Sequence, residues 1–302
     1  MHSLAIVVPA YKKTFLREVL DSIARQTDQN FTLYIGDDHS PENLQDICAE
    51  FETRINLNYI RYEENWGGKD LPAHWERCID ESQEPYIWLF SDDDVMPEDA
   101  VQRINAAIRE KKRSFYRFPL SITDEQLNVV YNAPAFRHAT DTAESFLNEK
   151  FSGERPSAAI EFVFCRKLYE KGKKFVHFPV AWSSDDATWF RYAFLGEGIV
   201  NLPGKAVCWR QSGGTNISTN PALNQEKMNA TTRFMTWLRQ EMTIHDMPCT
   251  AEFLRNLKKY IKTVLTISLN KKFSTKELVC LCRALAAFDR KLAFQIFLKY
   301  FV

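Results

Sequence analysis

Residues 85–97 read PYIWLFSDDDVMP, a short apolar run that stops at Ser91 and three successive aspartates, Asp92, Asp93 and Asp94. A run this short, rich in aromatic and branched residues and entered through Pro85, fits a strand buried on both faces. The acids then sit at its carboxyl end, which is where an open α/β sheet binds ligands. Carboxylates held together repel one another, so a cation is expected to share the site, and hard oxygen donors suit Mg²⁺ or Mn²⁺. The other reading of the same residues is an acidic entry to the helix after Pro97, with Asp93 or Asp94 as its cap.

Working outward from this strand, the preceding residues alternate between strand and helix. LAIVV (4–8) reads as a buried strand ending in Pro9, Ala10 and Tyr11, and Phe15, Leu16, Val19, Leu20 and Ile23 follow at helical spacing. FTLYI (31–35) is a second strand, closed by Gly36, Asp37 and Asp38, with Ser40 placed to cap a helix over 41–51. A third strand over 57–62, an Asn65-to-Gly68 turn and a helix over 70–82 lead into the aspartate-tipped strand. Such alternation predicts parallel strands with helices on both faces, and it gathers all these polar loops along one edge. No GxGxxG follows Val8 and no GxxxxGK[ST] occurs, which argues against a dinucleotide fold or a P-loop.

Composition narrows the function classes. Among 302 residues, Lys plus Arg and Asp plus Glu number 39 each, so no global field points to nucleic acid. The seven Cys form no CxxC pair and read as reduced thiols of a cytoplasmic protein. Met1 runs almost directly into an apolar strand, so no secretory leader is expected, and no apolar run is long enough to span a membrane.

Four pieces, LAIVVPAY, YIGDDHS, ENWGGKDLPAHWERCID and YIWLFSDDDVMP, occur in an order that resembles the nucleotide-binding half of a family 2 glycosyltransferase. The resemblance extends over about residues 1–215. It implies a GT-A fold, a Rossmann-like mixed sheet flanked by helices, here with a helical C-terminal extension. It implies that Pro9, Ala10 and Tyr11 flank a nucleobase, that Asp38 accepts its imide hydrogen and that Lys69 supplies a basic contact. Asp92, Asp93 and Asp94 would bind Mn²⁺ or Mg²⁺ on the diphosphate of a nucleotide sugar, a UDP-sugar by expectation. The family writes an acid, a spacer and two acids, whereas here three aspartates are contiguous. Aligning on Pro97 favours Asp92 and Asp93 as metal ligands, while the D-x-D spacing favours Asp92 and Asp94.

The second half adds the acceptor side. A strand is expected over 115–122, a partner for it over 127–131, a loosely ordered excursion over 134–156 and a strand over 159–165. In VAWSSDDATWFRYAF the helical spacing of Trp189, Phe190 and Ala193 puts Ser183, Ser184, Asp185 and Asp186 at a helix N-terminus, where capping alone would explain them. The family resemblance makes Asp185 and Asp186 the catalytic pair, with Asp186 the general base of an inverting displacement. In AVCWRQSGGTNIS, Gly213 and Gly214 suggest a mobile loop, and Arg210, Ser212, Asn216 and Ser218 supply donors suited to phosphate.

The expected organisation is a transferase domain over 1–220, divided at 112/113 into nucleotide and acceptor halves, and a helical appendage over 221–302. The appendage would pack on the main domain, join a homodimer, or rest its last helix peripherally on the inner face of a membrane. The expected activity is metal-dependent transfer of a sugar to a hydroxyl of a glycan or lipid-linked glycan, a step of polysaccharide biosynthesis. A sugar nucleotidyltransferase and a non-catalytic carbohydrate- or nucleotide-binding protein are the alternatives.

Overall fold

The computed structural model describes residues 2–111, 113–213, 216–217 and 219–301. Eleven strands are defined within them: β1 (Leu4–Ala10), β2 (Thr32–Asp37), β3 (Leu57–Arg61), β4 (Tyr86–Leu89), β5 (Phe115–Arg117), β6 (Leu120–Thr123), β7 (Val129–Asn132), β8 (Thr140–Asp141), β9 (Phe162–Cys165), β10 (Ile199–Asn201) and β11 (Val207–Arg210). Eight form one mixed sheet in the order β3-β2-β1-β4-β9-β5-β10-β8, and β11-β6-β7 form a second. Strands β3, β2, β1 and β4 run parallel, as their helical crossovers require. Strand β9 enters antiparallel to both β4 and β5, which makes the sheet mixed.

The four crossover helices are α1 (Leu16–Ala24), α2 (Gln45–Ala49), α3 (Leu71–Asp80) and α4 (Ala100–Lys111). Alternation along β1 feeds two cores: Ala5 and Val7 pack on one face of the sheet, and Leu4, Ile6 and Val8 on the other. Burying each of the larger side chains stabilises by ~1.5–3 kcal/mol. A polar substitution within β1 would therefore harm one specified face.

The remaining helices are α5 (Ala143–Ser152), α6 (Arg166–Lys171), α7 (Ser184–Leu195), α8 (Asn224–Ile244), α9 (Ala251–Thr263), α10 (Thr275–Ala286) and α11 (Arg290–Tyr300). Helices α8 to α11 share one hydrophobic cluster with the Ala5 and Val7 face of the sheet. Helix α9 buries Phe253, Leu257, Tyr260 and Ile261, a helical stripe, and Tyr260 stacks on Phe151 of α5 with ring centroids 4.6 Å apart. Among the described residues no helix is long and apolar enough to cross a membrane.

Three expectations are corrected. Helix α2 begins at Gln45 instead of 41, and Ser40 does not cap it: its hydroxyl donates to the Tyr11 carbonyl at 2.6 Å. The strand expected over 115–122 breaks at Phe118 and Pro119 into β5 and β6, which join different sheets. Residues 159–161 form a short 3-10 turn ahead of β9.

Candidate active site

The carboxyl ends of β1, β2 and β4 open into a cleft of about 1140 Å³. Pro9, Ala10, Tyr11, Asp38, Asp92, Asp93, Asp94, Asp185 and Asp186 all line it. Two segments distant in sequence, the loop after β4 and the first turn of α7, therefore meet on one cavity.

The acids after β4 are held by backbone amides and one serine hydroxyl. Asp92 Oδ2 accepts from the amides of Tyr11 at 2.8 Å and Lys12 at 2.9 Å, fastening the β1 loop. Ser91 Oγ donates to Asp93 Oδ1 at 2.6 Å, and the Arg210 amide donates to Asp94 Oδ1 at 2.7 Å. Burial first, then the neighbouring Asp93, pushes the Asp92 carboxyl up to about 6, and the same causes raise Asp94 well above its ordinary value. Capping does not explain them, because α4 starts only at Ala100.

Among the described residues no three His, Cys, Asp or Glu groups form a ready cage for a metal. The donor set nevertheless fits a divalent cation shared with a ligand, since Mg²⁺-type sites use one or two carboxylates and complete their shell with phosphate oxygens and water. The hydrogen bonds above take one oxygen from each acid. Positive charge would relieve the repulsion that raises the Asp92 and Asp94 carboxyls.

Asp38 is 2 % exposed and organises the turn after β3. Its Oδ1 accepts from the Trp66 amide at 2.7 Å and from Arg77 Nη2, and its Oδ2 accepts from the Gly67 amide at 2.8 Å. His74 lies 3.5 Å away but is neutral, because burial and Arg77 push its imidazolium down to about 3. Three donors leave Asp38 about one of a carboxylate's ~4 lone-pair sites. The Arg77 guanidinium is sandwiched at 3.9 Å from the Tyr62 ring and 4.6 Å from the Trp66 ring, which ties the turn to α3.

The pair before β10 is delivered by an unusual backbone. Val180, Ala181 and Ser183 have φ of 51°, 55° and 64°, a left-handed run that non-glycine residues rarely adopt. Local bonds hold it: Ser184 Oγ accepts from the Phe178 amide and Thr188 Oγ1 from the Val176 amide, each at 2.9 Å. Trp189 anchors α7 by stacking on Phe162 of β9, centroids 4.8 Å apart. Asp185 and Asp186 thus occupy the first turn of α7, where the helix dipole favours negative charge.

Asp186 is 4 % exposed, and its Oδ2 pairs with Lys150 Nζ of α5 at 2.7 Å. Its Oδ1 is buried with no protein partner. Burial pulls the Lys150 ammonium down, but Asp186, Tyr260 and Asp185 outweigh it and hold that pKa above the ordinary value. Burial and Asp186 push Asp185 up to about 7. Tyr260 Oη and Ser183 Oγ share a 3.3 Å hydrogen bond beside the pair.

Not every expected residue reaches the cleft. Arg210 is fully buried: Nε donates to the Asp93 carbonyl, Nη1 to the Glu125 carbonyl and Nη2 to Glu18, and its plane lies 4.0 Å from the Phe15 ring. Its fork is consumed inside the protein, so the expected diphosphate contact is corrected. Ser212 is buried against Asn216, and Lys69 is an exposed residue 3.6 Å from Glu64; neither lines the cleft. Gly214 and Ser218 lie outside the described residues, while Asn216 and Ile217 do border the cavity.

Sequence reasoning missed Lys150, Trp182 and Tyr260, which all line the cleft. A single Lys in an irregular excursion carries no signal. Tyr260 had one only as a member of a buried helical stripe.

Residues 5–154 match the family described as Glycosyl transferase family 2. Glycosyltransferase GlyG of Streptococcus pneumoniae is 24% identical over 224 residues, covering 72% of this chain and 73% of its own length. The structure of S. aureus TarS 1-349 in complex with UDP-GlcNAc aligns with a TM-score of 0.69 at 18% identity, over 98% of this chain and 83% of that one. Mannosyltransferase PcManGT from Pyrobaculum calidifontis, in complex with GDP-Man and Mn²⁺, aligns with a TM-score of 0.54 at 12% identity, over 99% and 87%.

Proposed function

The chain belongs to glycosyl transferase family 2 and is a glycosyltransferase of GT-A fold; from that premise we propose that it moves a sugar from a UDP-sugar to a hydroxyl of a glycan or lipid-linked glycan, inverting the anomeric centre. Support for a uridine donor comes from TarS, whose structures hold UDP-GlcNAc and UDP. The division at 220/221 into transferase and helical parts belongs to the same reading.

The observation that carries the proposal is the meeting of two acid groups with different electrostatics on one cleft. Asp92, Asp93 and Asp94 would hold Mn²⁺ or Mg²⁺ against the diphosphate. Bound there, the cation supplies the positive charge that stabilises a departing nucleoside diphosphate. Pro9, Ala10 and Tyr11 flank the base, and the remaining lone pair of Asp38 takes its imide hydrogen. With Arg210 directed inward, the diphosphate lies against the loop carrying Lys12.

Asp186 is the general base. Lys150 supplies its counter-charge and occupies Oδ2, which leaves the unpartnered Oδ1 for the acceptor. Oδ1 takes the hydroxyl proton as the acceptor oxygen bonds to the anomeric carbon. The bond from that carbon to the diphosphate oxygen breaks, and its electron pair leaves with the nucleoside diphosphate. A base on the face opposite the leaving group gives inversion, by the in-line logic of inverting glycosidases. Asp185 is the neighbouring acid, itself pushed up to about 7 by burial and by Asp186.

The test is a screen of nucleotide sugars for release of nucleoside diphosphate with Mn²⁺, paired with calorimetry. Turnover of a UDP-sugar and Mn²⁺-dependent UDP binding are expected. Absence of both across uridine, guanosine and thymidine donors would sink the proposal.

A further inference from the structure

Although the whole chain is neutral, its charge is not evenly spread. Residues 251–302 hold eleven Lys or Arg (255, 258, 259, 262, 271, 272, 276, 283, 290, 291, 299) against three Asp or Glu (252, 277, 289), a net of +8, and 1–250 carries the balancing −8. Within this basic segment α11 is apolar on two sides. Leu292, Ala293 and Ile296 face inward and are buried. Phe294, Leu298 and Phe301 face outward at 61 %, 53 % and 54 % exposure. At 100° per residue these three fall within about 60° of one another, with Lys291 about 20° beyond one edge of the arc and Arg290 about 20° beyond the other. Such a stripe is costly in water, and basic residues around an apolar stripe are what an interfacial helix presents to anionic lipid.

The surrounding structure extends this face toward the cleft. Lys258 Nζ donates to Gln295 on α11, and the Tyr300 hydroxyl meets Thr266 Oγ1 at 2.8 Å, so α9 and the turn that follows it lie beside α11. The next residue, Ile267, is 74 % exposed, whereas its neighbours Val264 and Ser268 line the cleft. An exposed apolar residue continuous with this basic segment therefore stands among residues that line the same cleft as Tyr260 and Asp186. Self-association through this face would oppose basic surface to basic surface in a two-fold interface, which disfavours a second copy.

We infer that the outer face of α11, with Ile267 and the lysines of α9, docks the protein peripherally on an anionic phospholipid surface and turns the acceptor mouth toward it. The inference deepens the transferase reading, because a lipid-linked acceptor would then meet Asp186 from the bilayer side. Insertion of Phe294, Leu298 and Phe301 supplies the apolar term. The basic residues supply a charge term worth roughly fivefold in affinity for each residue near the surface.

Co-sedimentation of the full chain with phosphatidylcholine vesicles, with and without about one third phosphatidylglycerol, tests it. Binding is expected only with phosphatidylglycerol and should weaken with salt. Phe294→Glu with Leu298→Glu should lower it at least about tenfold, and Arg290→Glu with Lys291→Glu by a similar factor. Both pairs lie on the surface, so thermal melts should be unchanged and UDP release with a soluble acceptor should stay at the unsubstituted rate. No preference for phosphatidylglycerol, or binding indifferent to both double variants, overturns the inference. So does a dimer in sedimentation equilibrium that Phe294→Glu with Leu298→Glu dissociates, since a second copy would then occupy the face. Vesicle binding without any sugar transfer would leave the docking intact and remove the enzymatic reading instead.

Discussion

The two acid groups on the cleft solve the same electrostatic problem in opposite ways. Asp92, Asp93 and Asp94 are bound through backbone amides and a serine hydroxyl, and Asp92 and Asp94 have raised carboxyl pKa values. Asp186 carries its own counter-charge in Lys150 and keeps one oxygen unpartnered. The first group is short of positive charge and suits a cation that arrives with a ligand. The second is neutralised internally, which suits a base that must be ionised before the acceptor binds. Similar residues, placed in different surroundings, acquire different chemistry.

The largest effect should come from the second group. Asp186→Asn is expected to lower kcat by ~10²–10⁴-fold while leaving Mn²⁺-dependent UDP affinity intact by calorimetry. Equal losses in both would erase the distinction between the groups. Lys150→Met should come next. It leaves a buried carboxylate without its partner, at a cost of ~3–5 kcal/mol in chemical denaturation. In the fraction that folds, the acidic limb of the pH–rate profile should move to higher pH, so turnover lost at neutral pH returns in alkali. A uniform loss at every pH would make Lys150 a packing residue only.

A smaller effect separates the groups by pH. Asp92 and Asp185 have folded pKa values of about 6 and 7, raised above those of an unfolded chain. Raised values mean that the folded state binds these protons more tightly, so their stabilisation is full below about pH 4 and is lost as pH rises through 6 and 7. Mn²⁺ with UDP should restore the Asp92 share, and its thermal shift should be larger at pH 7.5 than at pH 5. A shift of equal size at both would argue against a cation at these acids. The smallest effect is expected from Val180→Gly. Release of ~1–3 kcal/mol of backbone strain is offset by glycine's greater chain entropy, leaving Tm near its starting value. A looser approach to α7 should lower turnover a few-fold with UDP affinity unchanged.

Much of the transferase unit was legible from local pattern. The first four strands and their helices emerge from apolar runs and helical spacing, because a strand buried on both faces and an amphipathic helix each leave a periodic trace. Asp92, Asp93, Asp94, Asp185 and Asp186 were legible as acids at element ends. Their meeting on one cleft follows the general rule that ligands bind at the carboxyl edge of such a sheet. The break at Pro119 was less so, since β5 and β6 are adjacent in sequence but pair with different sheets.

Arg210 marks the limit. By composition it is a phosphate-binding group on a polar loop, yet the fold turns its guanidinium inward onto Glu18, Glu125 and Asp93. Lys150 marks the converse, an ordinary lysine that becomes the counter-ion of the proposed base. The chain's own order of residues determined which segments become strands and helices and which carry acids at their ends, because those properties are set by neighbours within a few positions. Only the tertiary structure decided which charges face each other across α5, α7 and α9. Coulomb energies and burial depend on separations through space, and residues 36 or 74 positions from Asp186 along the chain are brought beside it.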